Sequence, residues 1–379
     1  MVIIHFCPHD GGVMYEWHWP HYLSELKNMG YRIIDCNPNK ILKRKGSPQD
    51  NANILETISL KAKKKYGQVL LFAAQGRDDN LDPGIFYVLR KHNIPSVNIC
   101  VDGWIEITRL KKIGKYFDLN WVTHYNALTI SKIGCKTVYM PMAANPYFFR
   151  PTSSERELAI AFVGSKYGAR STYIRELGAA GIRIKVRGSG WRNQKGAYGF
   201  SINRRNIDIK AIMNYFFYEE GRKIIFSGAL SKARAFLMRN YKDYLTDTIE
   251  FGPELSFKDM ISFYSMNLLS LGITELNNTY ILKSPLYQYR LRDFECPMIG
   301  CAHLVRKTRE LEESFLDGKE IIFYDSIEEC IEKAKYYLSE SHIEETKKIG
   351  HRARERSLLD HTWANRFIKL FNILGLKPK

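Results

Sequence analysis

No run of eighteen apolar residues interrupts the 379-residue sequence, so nothing in it reads as a bilayer-spanning helix. The N-terminal Met1-Val2-Ile3-Ile4-His5-Phe6 enters a strand-like segment with neither a basic lead nor a small-residue cleavage site, so no secretory leader is expected. Those two absences predict a cytoplasmic protein. Cys-x-x-Cys pairs are missing as well. Cys7, Cys36, Cys100, Cys135, Cys296, Cys301 and Cys330 are odd in number and far apart, which argues against a disulfide framework or a zinc site and for reduced core thiols. Internal repeats and low-complexity tracts are also absent. Acidic residues are the scarce charge: 40 Asp and Glu stand against 57 Lys and Arg, a formal net charge of +17.

Such a field attracts polyanions, whether nucleotide diphosphates, anionic lipid surfaces, acidic glycans or nucleic acid. Its densest points are Lys40, Lys43, Arg44 and Lys45, then Lys61, Lys63, Lys64 and Lys65. Solvated helix faces account for clusters of this kind, and peripheral contact with an anionic membrane is the leading functional alternative.

The length suits two ordinary domains. Over the first 140 residues, short apolar runs alternate with helical patterns, as in a parallel sheet with crossover helices. The expected strands are Val2 to Cys7, Arg32 to Asp35, Val69 to Ala73, Ser96 to Cys100, Leu119 to Thr123 and Thr137 to Met140. Three prolines between Met140 and Pro151 exclude a regular helix or central strand there. The reading is thus a first domain over 1–145, a linker over 146–156, a second domain over 157–360 and a C-terminal helix over 361–379. In the second domain a strand at Leu158 to Val163 leads to a helix at about Ala169 to Ala180 and a strand at Ile182 to Val186. Residues 192–250 read as a basic, aromatic insertion. Regularity is expected to return with a strand at Asn267 to Leu271 and a helix ending near Glu295.

In open parallel sheets, ligands bind beyond the carboxyl ends of the strands. Gly164-Ser165-Lys166-Tyr167-Gly168-Ala169-Arg170 is such a loop. Its glycines allow close backbone approach, the following helix offers unpaired N–H groups, and Lys166 and Arg170 add positive charge, so a diphosphate fits. The same glycines also suit a plain strand-to-helix turn.

A longer constellation is more specific. It comprises Tyr289-Arg290-Leu291-Arg292-Asp293-Phe294-Glu295-Cys296-Pro297-Met298-Ile299-Gly300-Cys301, then Leu311 to Glu320, Tyr324 to Glu329 and His361-Thr362-Trp363. In order, spacing and residue type it resembles the CgeB-like (spore-maturation type) glycosyltransferases. Ala161-Phe162-Val163-Gly164 to Arg170 resembles that family's opening of its donor domain, and Gly188-Ser189-Gly190-Trp191 its next strand end.

The resemblance implies an α/β protein of the GT-B fold: two Rossmann-like domains facing each other across a cleft, with the C-terminal helix returning to the first. It implies glycosyl transfer from a nucleotide-diphosphate sugar, without a further cofactor, to a hydroxyl of a surface glycan, lipid-linked or protein acceptor. Gly164, Ser165, Lys166, Arg170 and Arg292 would hold the donor diphosphate. Glu295 would accept from the ribose hydroxyls, as a carboxylate is suited to do; a carboxylate favouring a helix N-terminus is the competing reading. Tyr287 and Gly300 would face the sugar. Many retaining GT-B enzymes carry a glutamate where Tyr287 stands, eight positions before Glu295.

On the acceptor side, His9, Asp10, Gly11 and Gly12 form the loop after the first strand. Inverting relatives often use a histidine there as general base, which casts His9 as base and Asp102 as the carboxylate fixing its tautomer; His124 is a rival. No metal is expected. Asp-x-Asp is missing, Asp78-Asp79-Asn80 is a near miss, and Lys166, Arg170 and Arg292 can neutralise the leaving diphosphate. Two other readings stay open: a nucleic-acid-associated protein, such as a DNA-base glycosyltransferase or a non-catalytic binder, and a nucleotide-sugar 2-epimerase.

Overall fold

A computed structural model describes residues 1–8, 17–74, 76–191, 213, 216–237 and 247–376. His9, Asp10, Gly11 and Gly12 lie outside the described residues, as does most of the basic insertion. The chain forms two compact units, Met1–Asn145 with His361–Lys379, and Pro146–Asp360.

The first unit runs β1 (Val2–Phe6), α1 (Ser24–Asn28), β2 (Arg32–Cys36), α2 (Pro38–Leu42), α3 (Pro48–Tyr66), β3 (Val69–Ala74), α4 (Ile85–Lys91), β4 (Ser96–Cys100), α5 (Glu106–Arg109), β5 (Leu119–Val122) and β6 (Thr137–Tyr139). All pairings are parallel, in the order β2-β1-β3-β4-β5-β6. Strands β1, β3, β4 and β5 are buried along their whole length, as apolar strands covered on both faces must be. Helix α3 begins at a capping box: the Ser47 side chain accepts from Asp50 N–H, Asp50 answers to Ser47 N–H, and Pro48 occupies the first turn.

The second unit runs β7 (Glu157–Val163), α6 (Arg170–Ala179), β8 (Ile184–Arg187), α7 (Glu219–Leu237), β9 (Ile249–Gly252), α8 (Phe257–Ser265), β10 (Asn267–Gly272), α9 (Arg292–Ile299), β11 (Ala302–Arg306), α10 (Arg309–Glu312), β12 (Ile322–Tyr324), α11 (Ile327–Leu338) and α12 (Ile343–Asp360). Its sheet is again parallel, in the order β12-β11-β10-β7-β8-β9. One face packs Tyr173, Ile174 and Leu177 of α6 and Cys330 and Ala334 of α11 over Ile160, Leu269 and Leu304.

The chain then returns to the first unit through α13 (Trp363–Ile373). Trp363, Phe367, Leu370 and Phe371 recur at helical spacing and are buried, Trp363 Nε1 donates to His21 Nδ1 at 3.0 Å, and Arg366 donates to the carbonyls of Pro141 and Met142. This helix is part of that unit's core.

Two expectations for the second unit need correction. The helix expected to end near Glu295 instead begins at Arg292 and runs to Ile299. Before it, Leu276 N–H donates to Leu286 O and Gln288 N–H to Thr274 O, a narrow antiparallel pair in which Glu275 faces Tyr287, and Pro285 has no N–H to give a helix. In addition, β9 and α8 are regular elements ahead of Asn267, where regularity is expected to return.

Candidate functional site

In each sheet the strand order reverses beside the first strand of the unit, between β1 and β3 in one and between β7 and β10 in the other. Ligands of open parallel sheets sit beyond the carboxyl ends of the strands at such a reversal. In the second unit that position is the loop from Gly164 to Arg170 and the segment after Gly272.

The loop after β7 is tightly fixed. Gly164 N–H donates to Arg187 O at 2.9 Å, Trp191 Nε1 donates to Gly164 O at 2.7 Å, and Lys166 N–H donates to Ser189 O at 2.9 Å. Gly188 has φ +135°, and a Cβ there would collide with Gly164 O, so both its conformation and its neighbour demand glycine. Gly168, at φ +59°, packs equally closely on Asn277 O and so joins the loops after β7 and β10. Lys166 Nζ stands 5.9 Å over the Trp191 ring.

Arg170 opens α6. Its guanidinium donates to Ser165 O at 2.8 Å and stacks 4.0 Å from the Tyr167 ring centre. Its pKa is lowered by burial first, and then, against an opposing pull from Tyr167, by the like charges of Arg290 and Arg292. Three arginines therefore converge on one edge. Arg292 pairs with Glu295 across the first turn of α9, and Glu295 is 1% exposed. With the carboxylates of Glu295 and Asp293 set against three guanidinium groups, the cluster keeps a surplus of positive charge. Both Arg290 Nε and Arg292 Nε are buried without a hydrogen-bond partner in the protein. Buried donors left in that state are costly, and an anion accepting from them would remove the cost.

The first turn of α9 is held from below. Asp293 accepts from Arg290 N–H at 2.6 Å and lies 2.9 Å from His303 Nε2, while His303 Nδ1 is 2.8 Å from Ser270 Oγ. Serine, histidine and aspartate in a row suggest a nucleophilic triad. All three are at most 1% exposed and are bonded to one another, so their effect is to clamp the helix that carries Arg292.

The remaining expected residues fall differently. Tyr287 accepts from Arg306 at 2.8 Å, with the guanidinium 4.6 Å from its ring centre, beside the carboxyl end of β11. Gly300 is not brought to this edge. It closes α9 at φ +77°, accepts from Arg156 at 2.8 Å and lies next to Pro151 and Gly350, one helix length of about 12 Å from Arg292. It stands two residues before β11, at the amino end of that strand, so a sugar at the carboxyl end is out of its reach.

In the first unit Asp102 follows β4 and accepts from Arg77 at 3.3 Å and, more closely, from Arg109, which also faces buried Glu106. The two arginines compete for the carboxylate that a dyad with His9 requires. His124 is fully buried. Arg77, Arg109, Arg290, Glu275 and Arg306 were not singled out from the sequence. Of these only Arg290 carried a signal, its place beside Arg292 in the Tyr289 to Cys301 motif. Among the described residues no group of three or more His, Cys, Asp or Glu could hold a metal ion.

The profile of the glycosyl transferase-like family matches residues 170–372, more than half of the chain. The chain belongs to that family. The match spans α6 through α13 and so includes the arginine cluster. Among solved structures, this glycosyl transferase-like chain is similar to the sucrose-phosphate synthase of Thermosynechococcus elongatus, at 13% identity and TM-score 0.55 over 98% of both chains. It is also similar to a glycosyltransferase of Rickettsia africae, at 12% identity and TM-score 0.57 over 98% of this chain and 97% of that one. HepE of Anabaena, solved in complex with UDP and glucose, aligns at 11% identity and TM-score 0.56 over 99% of this chain and 100% of its own. Likeness at such low identity concerns the fold, and the fold is GT-B, with two Rossmann-like domains. No curated protein has a significantly similar sequence.

Proposed function

We propose that this member of the glycosyl transferase-like family is a glycosyltransferase of the CgeB-like type, moving a sugar from a nucleotide-diphosphate donor to a hydroxyl of a glycan, lipid-linked or protein acceptor. The observation that carries the reading is the convergence of Arg170, Arg290 and Arg292 at the β7/β10 reversal, with buried guanidinium N–H groups still to be satisfied. A diphosphate supplies two negative centres and enough acceptor oxygens to use them. During transfer the glycosidic C–O bond to the diphosphate breaks, negative charge grows on the leaving oxygen, and fixed cations stabilise it. In this proposal the arginines do that work, so no metal is required.

Glu295 is the ribose acceptor of the proposal, paired with Arg292 across the first turn of α9. His9 takes the acceptor proton, and Asp102, tied to Arg77 and Arg109, orients it. The complex of HepE with UDP and glucose makes UDP and UDP-glucose sensible first probes. The protein is further proposed to work in the cytoplasm against an anionic membrane surface, supported by the exposed Lys43, Arg44, Lys45, Lys64 and Lys65.

Titration calorimetry with UDP, GDP, ADP and dTDP and a matching sugar nucleotide of each tests the donor site. One series is expected to bind, with Arg292→Ala weakening it at least about tenfold, since charge-assisted bonds are each worth about 1.5–3 kcal/mol. If no nucleotide binds, or if Arg292→Ala leaves the affinity unchanged, the donor assignment is wrong.

A further inference from the structure

Buried polar atoms without partners are few in native proteins, so their distribution carries information. Among the described residues of the second unit they are Asn267 Oδ1, Thr274 Oγ1, Glu275 Oε2, Arg290 Nε, Arg292 Nε and Thr308 Oγ1. All but Asn267 lie past the carboxyl ends of β10 and β11, at the edge already singled out by strand order. Two of them are the arginine nitrogens assigned to the diphosphate. Glu275 is of another kind, because its negative charge repels phosphate.

Glu275 is 7% exposed. Its Oε1 accepts from Tyr173 Oη at 2.6 Å and lies 3.8 Å from Arg306 Nε, while Oε2 is unmatched. Its backbone pairs with Tyr287 in an antiparallel bridge. The bonds from Leu276 N–H to Leu286 O and from Gln288 N–H to Thr274 O flank that bridge, which makes it the non-hydrogen-bonded kind, where facing side chains are closest. Arg306 then joins the two side chains, bonded to the Tyr287 hydroxyl and near the Glu275 carboxylate. Gly168 packing on Asn277 sets this segment against the loop that ends in Arg170, one helical turn before Tyr173.

Position 287 is where an acidic sugar contact would be expected and a tyrosine stands. We infer that Glu275 supplies that carboxylate from across the bridge, accepting hydrogen bonds from hydroxyls of the transferred sugar through Oε2. The assignment rests on the donor reading above. A carboxylate takes no phosphate but readily takes vicinal hydroxyls, and the Tyr287 ring beside it suits the C–H face of a pyranose. Tyr173 and Arg306 occupy the other oxygen and fix the carboxylate's orientation, so Glu275 bears on the sugar and leaves the nucleotide to the arginines.

Glu275→Gln separates these contributions. For whichever nucleotide the wild-type protein binds, UDP with UDP-glucose being the first pair, the free diphosphate should keep its affinity within about twofold while the sugar nucleotide weakens at least about tenfold. If Glu275→Gln does not fold, Glu275→Asp, which keeps the charge and withdraws it by one methylene, should give the same selective loss. Equal losses for both ligands, or no loss for either, would overturn the inference and leave the donor site standing, since they mark Glu275 as a structural partner of Arg306. A wild-type protein that binds none of the nucleotides overturns the inference and the donor reading together.

Discussion

Glu25, in α1, is buried at 3% exposure with Oε2 unmatched, and its other contact is the N–H of Ala364 in the first turn of α13. Burial pushes this carboxyl up from 4.5 to about 7, against the weaker pull of that N–H. Between those values the folded protein holds a proton that the unfolded chain has released. Stability therefore falls as pH rises through the window and levels off above it, with roughly 3 kcal/mol at stake. Glu25→Gln keeps an acceptor for Ala364 N–H and removes the charge. It is expected to stabilise the protein by roughly 1–3 kcal/mol at pH 8 and by nothing at pH 4, as read from urea unfolding at both. A gain of the same size at both pH values would show that charge burial is not the cause. The cysteines illustrate the same physics without the cost. All seven are buried, and burial pushes the Cys7 and Cys36 thiols up to about 12, so they stay protonated and unreactive.

Helix α9 carries Arg292 and Glu295 within eight residues, too short to be stable alone. Tertiary contacts must hold it, and the Ser270, His303 and Asp293 chain does so from β10 and β11. His303→Leu would leave Asp293 Oδ1 buried without its hydrogen-bond partner, a loss of roughly 1–3 kcal/mol. Urea unfolding should show that loss, and calorimetry should show the diphosphate bound about tenfold more weakly, because the arginine pair is no longer anchored. His303→Gln, which retains a donor toward Asp293, should recover part of both. Unaltered nucleotide affinity in a folded His303→Leu protein would mean that α9 is positioned by packing alone.

At the scale of the whole molecule, the +17 charge is a long-range property and acts through its densest surfaces. Lys43, Lys45, Lys64 and Lys65 are exposed at the end of α2 and on α3 of the first unit. Vesicles containing phosphatidylserine should bind the protein at 50 mM salt and release it at 500 mM, where screening shortens the reach of each charge. Replacing those four lysines by glutamate should weaken the binding at least about tenfold, at about 1 kcal/mol per basic residue near the surface. If vesicle binding ignores the replacement, the membrane proposal loses its basis.

The two parallel sheets were legible in the sequence because apolar runs and helical periodicity are local signals, and each βα unit repeats them. Local order also exposed the Gly164 to Arg170 loop and the Arg292 to Glu295 turn, where glycine, charge and helix start lie within a few residues. Position 287 shows the limit: its partner Glu275 is twelve residues away, and only a chain reversal closed by two backbone hydrogen bonds brings them together. Gly300 fails for a related reason, since nearness to Arg292 in sequence becomes opposite ends of a helix in space. By itself, then, the sequence determined most of the elements and the two short stretches where glycine, charge and helix start coincide. Tertiary structure alone decided which charges meet, because parallel pairing places distant strand ends side by side whatever their separation along the chain.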